Sequence, residues 1–191
     1  MRDSDRVAAA LADAAALHQQ VSKAGIQKVV EAASAIVAAF AQGGKLLTFG
    51  NGGSATDAQH LAAELVGRFE RERRGLAAVA LTNDMSVLTS VANDYSFDRV
   101  FARQVEALGR AGDVAFGIST SGTSRNVLAA LEQARSAGLT TIALTGRDGG
   151  AVGKAVDIHI NVASESTPRV QEVHRTLLHA LCELVERAVT Q

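Results

Sequence analysis

Residues 45–69, KLLTFGNGGSATDAQHLAAELVGRF, read as a short apolar strand (Leu46, Leu47, Phe49), a tight polar turn (Gly50, Asn51, Gly52, Gly53, Ser54) and a helix carrying His60 and Glu64. Glycines permit a sharp strand-to-helix turn, and a first helical turn leaves backbone N–H groups unpaired, so an anionic or hydroxyl-rich ligand can be held there. His60 and Glu64 lie four apart and share a helix face. That spacing suits a divalent metal, or an imidazole and a carboxylate acting on one small molecule. A Gly-rich turn and a His/Glu pair also occur as plain structure, so the weight of the motif depends on the rest of the chain.

Four further short apolar runs follow, at 77–81, 113–118, 140–144 and 157–162, and helical patterns at 85–92, 97–108 and 125–137 lie between them. Strands alternating with helices predict an α/β fold, a five-stranded parallel sheet flanked by helices in a flavodoxin-like three-layer sandwich. Ahead of it, 5–20 and 25–42 read as two helices, the first Ala-rich and sparsely apolar (Val7, Leu11, Leu17) and so in need of a covering partner subunit. Residues 1–42 are therefore expected in an oligomer interface and 43–191 in the α/β core of a single domain. The last helix is expected from the only proline, Pro168, to about Val189.

With 191 residues, 47% hydrophobic content and a net charge of -1, the chain suits one domain with a substantial core and carries no electrostatic footprint for nucleic acid or an anionic membrane. The mixed-charge run RFERERR (68–74) reads as a solvated loop. The amphipathic start has no continuous apolar region, which predicts a cytoplasmic protein. One cysteine, Cys182, cannot form an internal disulfide and reads as a small buried side chain.

In parallel sheets ligands bind at the carboxyl ends of the strands, where the chain reverses direction across the sheet. The second loop expected there, in DVAFGISTSGTSRN (113–126), offers the hydroxyls of Ser119, Thr120, Ser121, Thr123 and Ser124 ahead of a helix. Hydroxyls and helix-start amides can bind phosphate without a lysine, whereas a plain N-cap uses only one or two of them. Neither a Walker lysine nor a dinucleotide fingerprint accompanies the loop.

On the last helix, Val170, Val173, Leu177, Leu181, Leu184 and Ala188 form the stripe expected to dock on the sheet. Gln171 and His179 point away from it, in a sector shared with Leu178 and Cys182 that is expected to meet another subunit. They stand about 12 Å apart along a straight helix, so one small site takes both only if it spans that distance, if the helix start is distorted, or if two chains contribute. His18, His159 and His174 read as structural or exposed.

The segments GNGGSATDAQHLAAELVGRF, ANDYSF, GISTSGTSRNVLAAL, ALTGRDGG and RVQEVHRTLLHALCELVE together resemble the sugar isomerase (SIS) domain and, within it, the phosphoheptose isomerases. The resemblance spans essentially the whole chain. It implies a homotetramer with active sites between subunits that converts sedoheptulose 7-phosphate to D-glycero-D-manno-heptose 7-phosphate for nucleotide-activated heptose. It also implies one Zn²⁺ per subunit, held by His60, Glu64, Gln171 and His179. Glu64 would be the base and His179 its acid/base partner. Substrate contacts would come from Asn51, Gly52, Gly53, Ser54, Asn93, Asp94, Ser119, Thr120, Ser121, Ser124, Glu64 and Gln171, with Arg68 nearby. Two alternatives share the domain: a non-catalytic SIS tetramer that binds a replication initiator, and an isomerase of another sugar phosphate. The first lacks a carboxylate and an imidazole at the positions of Glu64 and His179.

Overall fold

The chain is described from a computed structural model that covers residues 2–24 and 26–190; the expected helix start at Gly25 lies outside them. Helices α1 (Asp3–Ala24) and α2 (Ile26–Ala41) lead into β1 (Leu46–Gly50), α3 (Gly53–Val66) and β2 (Ala78–Ala80). Next come α4 (Met85–Asp94), α5 (Ala102–Leu108), β3 (Val114–Ser119) and α6 (Arg125–Ser136). The chain closes with β4 (Thr140–Gly146), α7 (Gly150–Lys154), β5 (Ile158–Val162) and α8 (Thr167–Val189).

The five strands form one parallel sheet in the order β2-β1-β3-β4-β5, the expected α/β architecture. Alternation along each strand divides the core. Leu46, Val114, Phe116, Ile142 and Leu144 face α2, α3 and α8, whereas Leu47, Phe49, Ala115 and Ala143 face α4, α5, α6 and α7. Because the chain steps from β1 to β2 on one side and then to β3 on the other, the loops after β1 and β3 emerge side by side, with Gly50 paired to Ile118. That switch point positions the two polar loops.

Three expectations change. The 97–108 helix is broken into a 3₁₀ turn (Phe97–Arg99) and α5, and α7 appears where no helix was expected. On α8 the buried set is Val170, Val173, His174, Leu178, Leu181, Cys182, Val185 and Glu186, a face rotated from the expected stripe. Leu178 and Cys182 thus belong to the subunit's own core, not to a contact with another subunit. The reason is that α8 is covered on several sides, by α2, α3, α1 and the sheet, so no single apolar stripe defines its inner face. α1 buries only Leu17 and Val21 and leaves Val7 and Leu11 62% and 68% exposed. Among the described residues no single helix is long and apolar enough to cross a membrane.

Candidate active site

α3 and α8 start at the carboxyl edge of the sheet and pack against each other in parallel, and their facing side chains form a ladder. At the first rung Gln171 lies on Gly53 so closely that a β-carbon there would overlap the Gln171 side-chain amide. At the second, Arg175 Nη2 pairs with the buried Asp57 carboxylate at 2.5 Å. At the third, His60 Nε2 and His179 Nε2 stand 2.8 Å apart, brought together across 119 positions of sequence. Glu64, one turn beyond His60, places Oε1 3.4 Å from the same His60 nitrogen.

Gln171, Arg175 and His179 recur every four residues, which puts them on one side of α8 and explains how residues two turns apart share a seam. Gln171 itself lines a cleft with Gly53, Thr56, Asp57, Arg175 and His18, of about 660 Å³, that His60 and His179 do not line. Burial, followed by the Arg175 guanidinium, pushes His60 below the ordinary imidazole range; Glu64 and Asp57 pull it upward by less. His60 is therefore neutral near pH 7, the form that ligates a metal or accepts a proton. Asp57 is raised by burial, against the pull of Arg175, His60 and His179. Behind the seam, burial pushes the Cys182 thiol up to about 12, so this cysteine is inert.

The loop after β3 folds its hydroxyls onto one another. Ser119 Oγ, buried, lies 2.9 Å from Ser124 Oγ and 3.4 Å from Ser121 Oγ, and it accepts the Gly122 N–H at 3.2 Å. Gly122 takes φ +68° with its α-carbon against Gly149 and Gly150, where no side chain fits. Ser124 occupies the N-cap position of α6 yet makes no side-chain cap bond. Its hydroxyl is spent inside the loop, so the simple N-cap reading fails here.

Two amides fasten this loop to the turn after β1. Asn51 Nδ2 donates to Asn126 Oδ1 and Asn126 Nδ2 donates back to Asn51 Oδ1, both at 2.8 Å. Of the other anticipated contacts, Ser54 is buried in the first turn of α3, Thr120 is half-buried beside Ser119, and Gly52 and Gly53 are exposed. Asn93 and Asp94 are exposed at the end of α4, bonded to each other at 2.9 Å. Arg68 is exposed too, 4.0 Å from Glu72. The single chain thus unites His60, Glu64 and His179 and, separately, the hydroxyl loop with Asn51; among the described residues the side chains of Asn93, Asp94 and Arg68 bond to neither group.

The SIS domain family model matches residues 11–146. Phosphoheptose isomerase of Roseiflexus sp. is 56% identical over 161 residues, 84% of this chain and 82% of that one. The solved phosphoheptose isomerase of Neisseria gonorrhoeae superposes with a TM-score of 0.93 at 46% identity, over 97% of this chain and 100% of its own. The chain belongs to the phosphoheptose isomerase family. That of Francisella tularensis, another member, gives a TM-score of 0.95 at 37% identity over 98% of this chain and 100% of its own. The family is one of sugar phosphate isomerases, which fits a hydroxyl loop at the sheet edge from which the helices carrying a carboxylate and two imidazoles start.

A phosphoheptose isomerase with zinc would need donors of the kind found in the seam, imidazole nitrogen, carboxylate and amide oxygen. The chemistry of the donors fits, and this chain brings together three of them, His60, Glu64 and His179, while Gln171 lies two turns of α8 away against Gly53. Two ligands on a tetrahedral ion with bonds of 2.0–2.1 Å stand about 3.3 Å apart, so the 2.8 Å nitrogen pair must part by roughly half an ångström. Among the described residues no three His, Cys, Asp or Glu side chains already stand at metal spacing. Four contributors to the region escape sequence reasoning: Asp57, Arg175, Asn126 and Arg73. The spacing signal was present for Arg175, midway between Gln171 and His179, and for Asp57, one turn before His60.

Proposed function

We propose that this chain interconverts D-sedoheptulose 7-phosphate and D-glycero-D-manno-heptose 7-phosphate through an enediolate, supplying nucleotide-activated heptose for bacterial surface glycans. The observation that carries the reading is the His60–Glu64–His179 cluster, at 2.8 and 3.4 Å, on helices that start at the same sheet edge as the hydroxyl loop. In this reading Ser119, Thr120, Ser121 and Ser124 bind the phosphate with the start of α6. Asn51, Gly52, Gly53, Ser54 and Gln171 hold the sugar chain, with Asn93, Asp94 and Arg68 completing the enclosure when subunits assemble.

Glu64 takes a proton from C1 of the ketose as the C–H electron pair moves into the C1–C2 bond, and returns a proton to C2. His179 gives a proton to O2 and accepts one from O1. Both roles need partial access, and the Glu64 side chain is 23% exposed. His60, Glu64 and His179 would hold one Zn²⁺ per subunit, with the amide oxygen of a Gln171 brought in by a neighbouring subunit, and the ion would supply Lewis-acid polarisation of the sugar oxygens when bound. Glu64 acts as the base only when its carboxylate is free of the ion. The working unit in this reading is a cytoplasmic homotetramer whose neighbours cover Val7 and Leu11 of α1.

Glu64 and His179 also weigh against the non-catalytic replication-initiator partner, which has no use for a proton-handling pair. The test is direct: purified protein is incubated with sedoheptulose 7-phosphate, with and without a chelator, and the aldose is assayed. Conversion, lost on chelation and restored by zinc, is the expected result. No turnover by zinc-supplemented protein overturns the reading in favour of a regulator or another sugar phosphate.

A further inference from the structure

The charged run at 68–74, expected to be mainly a solvated loop, hides one charged side chain. The Arg73 side chain is 3% exposed, and it meets the side chain of Glu186 of α8, also 3% exposed, with Nε 3.1 Å from Oε1. The approach is Coulombic, since the Nε–H is not aimed at the oxygen as a hydrogen bond. The carboxylate is instead saturated by backbone. Its Oε1 accepts the Phe69 N–H at 3.0 Å, and its Oε2 accepts those of Glu70 and Arg71, both at 2.8 Å. Burial tends to raise its pKa, and these three donors with Arg73 outweigh that and hold it ionised below its ordinary value.

The other end of Arg73 is equally committed. Nη2 donates to the Glu64 carbonyl at 2.8 Å, and Nη1 to those of Leu65, Gly67 and Arg74 at 2.9, 3.2 and 3.0 Å. Glu64 and Leu65 lie in the last turn of α3, whose carbonyls have no partner within the helix; the Leu65 oxygen also accepts the Leu76 N–H, at 3.0 Å. Between the two anchors, the Phe69 ring rests against the His179 imidazole, centroids 5.7 Å apart. A single buried pair therefore grips α8 two turns beyond His179, caps α3 at Glu64, and seats an aromatic ring on the imidazole.

We propose that Arg73 and Glu186, acting on His179 through the Phe69 ring they seat, are positioning residues for isomerisation: they set the spacing and orientation of Glu64 and His179 without touching the substrate. The role rests on the isomerase reading above. A carboxylate and an imidazole that move protons on adjacent atoms tolerate little displacement, and about 1 Å can cost on the order of a hundredfold in rate. The hydroxyl loop lies on α6 and β3, outside the reach of this clamp, so phosphate affinity is independent of it.

Steady-state kinetics of the wild type, Glu186→Gln and Phe69→Leu with sedoheptulose 7-phosphate decide the matter. Glu186→Gln keeps the shape but presents an amide N–H₂ where donors converge, and kcat is expected to fall about ten- to a hundredfold with KM within about twofold. Phe69→Leu keeps the backbone strap and removes only the ring, with an expected fall in kcat of about threefold or more at unchanged KM. If Glu186→Gln does not fold, Phe69→Leu carries the test alone. The positioning role is overturned by a folded Glu186→Gln with kcat within twofold of wild type, by a loss confined to KM, or by an unaltered Phe69→Leu where that variant decides. An inactive wild type would instead remove the isomerase reading itself.

Discussion

Two helices start at the same edge of the sheet and are finished differently. α4 follows the outer strand β2, and Asp84 closes it, accepting the Ser86 and Val87 amides at 2.9 and 3.0 Å. α6 follows β3 at the switch point, and Ser124 in the equivalent position turns its hydroxyl to Ser119 and makes no side-chain cap bond. α3, on the other side of the switch, has Gly52 at its N-cap and no side chain to offer. Where the fold satisfies its own helix start, the polar side chain serves stability; where it does not, the helix-start amides are left without a side-chain partner.

That contrast can be broken by substitution. The largest stability effect belongs to a third polar group on this edge, His174, whose Nε2 lies 3.0 Å from the Thr145 carbonyl in full burial. Burial lowers its pKa from 6.5 to about 4, against the opposing bond from Thr145. The unfolded chain binds this proton and the folded chain does not, so stability is intact above about pH 6.5 and is lost as pH falls toward 4, by roughly 3 kcal/mol. Denaturant melts at pH 7 and 4.5 should show this loss for the wild type and a smaller one for His174→Gln, which keeps a donor and does not titrate.

Next in size, Ser124→Ala should raise KM for the sugar phosphate about tenfold, the value of a charge-assisted hydrogen bond, and leave thermal stability nearly unchanged, because no cap is lost. Smallest, Asp84→Ala should cost about 1 kcal/mol of stability in a urea melt and leave KM alone. A reversal of these last two outcomes would erase the distinction between the two helix starts.

The sheet was legible because its strands are short apolar runs separated by helical periods, and the two polar loops at its carboxyl edge because their composition is wrong for a core. The α8 face was not legible. Its periodicity offers Leu177 and Leu184 as readily as Leu178 and Val185, and only the positions of α1, α2 and α3 decide which are inside. Nor could sequence tell Arg73 from Arg68, Arg71 and Arg74 in one charged run, since its burial depends on Glu186, more than a hundred residues away. His60 and Glu64 were found by local spacing. Asp57–Arg175 and Asn51–Asn126 were missed because each pair exists only once two distant elements are laid side by side.

In the proposed reaction the seam between α3 and α8 handles the protons while the hydroxyl loop after β3 holds the phosphate. Glu64→Gln tests it most directly, with calorimetric binding of sedoheptulose 7-phosphate and NMR detection of the aldose measured on one preparation. Binding within about threefold of wild type and a kcat lower by about a hundredfold or more are expected. Turnover within tenfold of wild type would contradict that role for the seam.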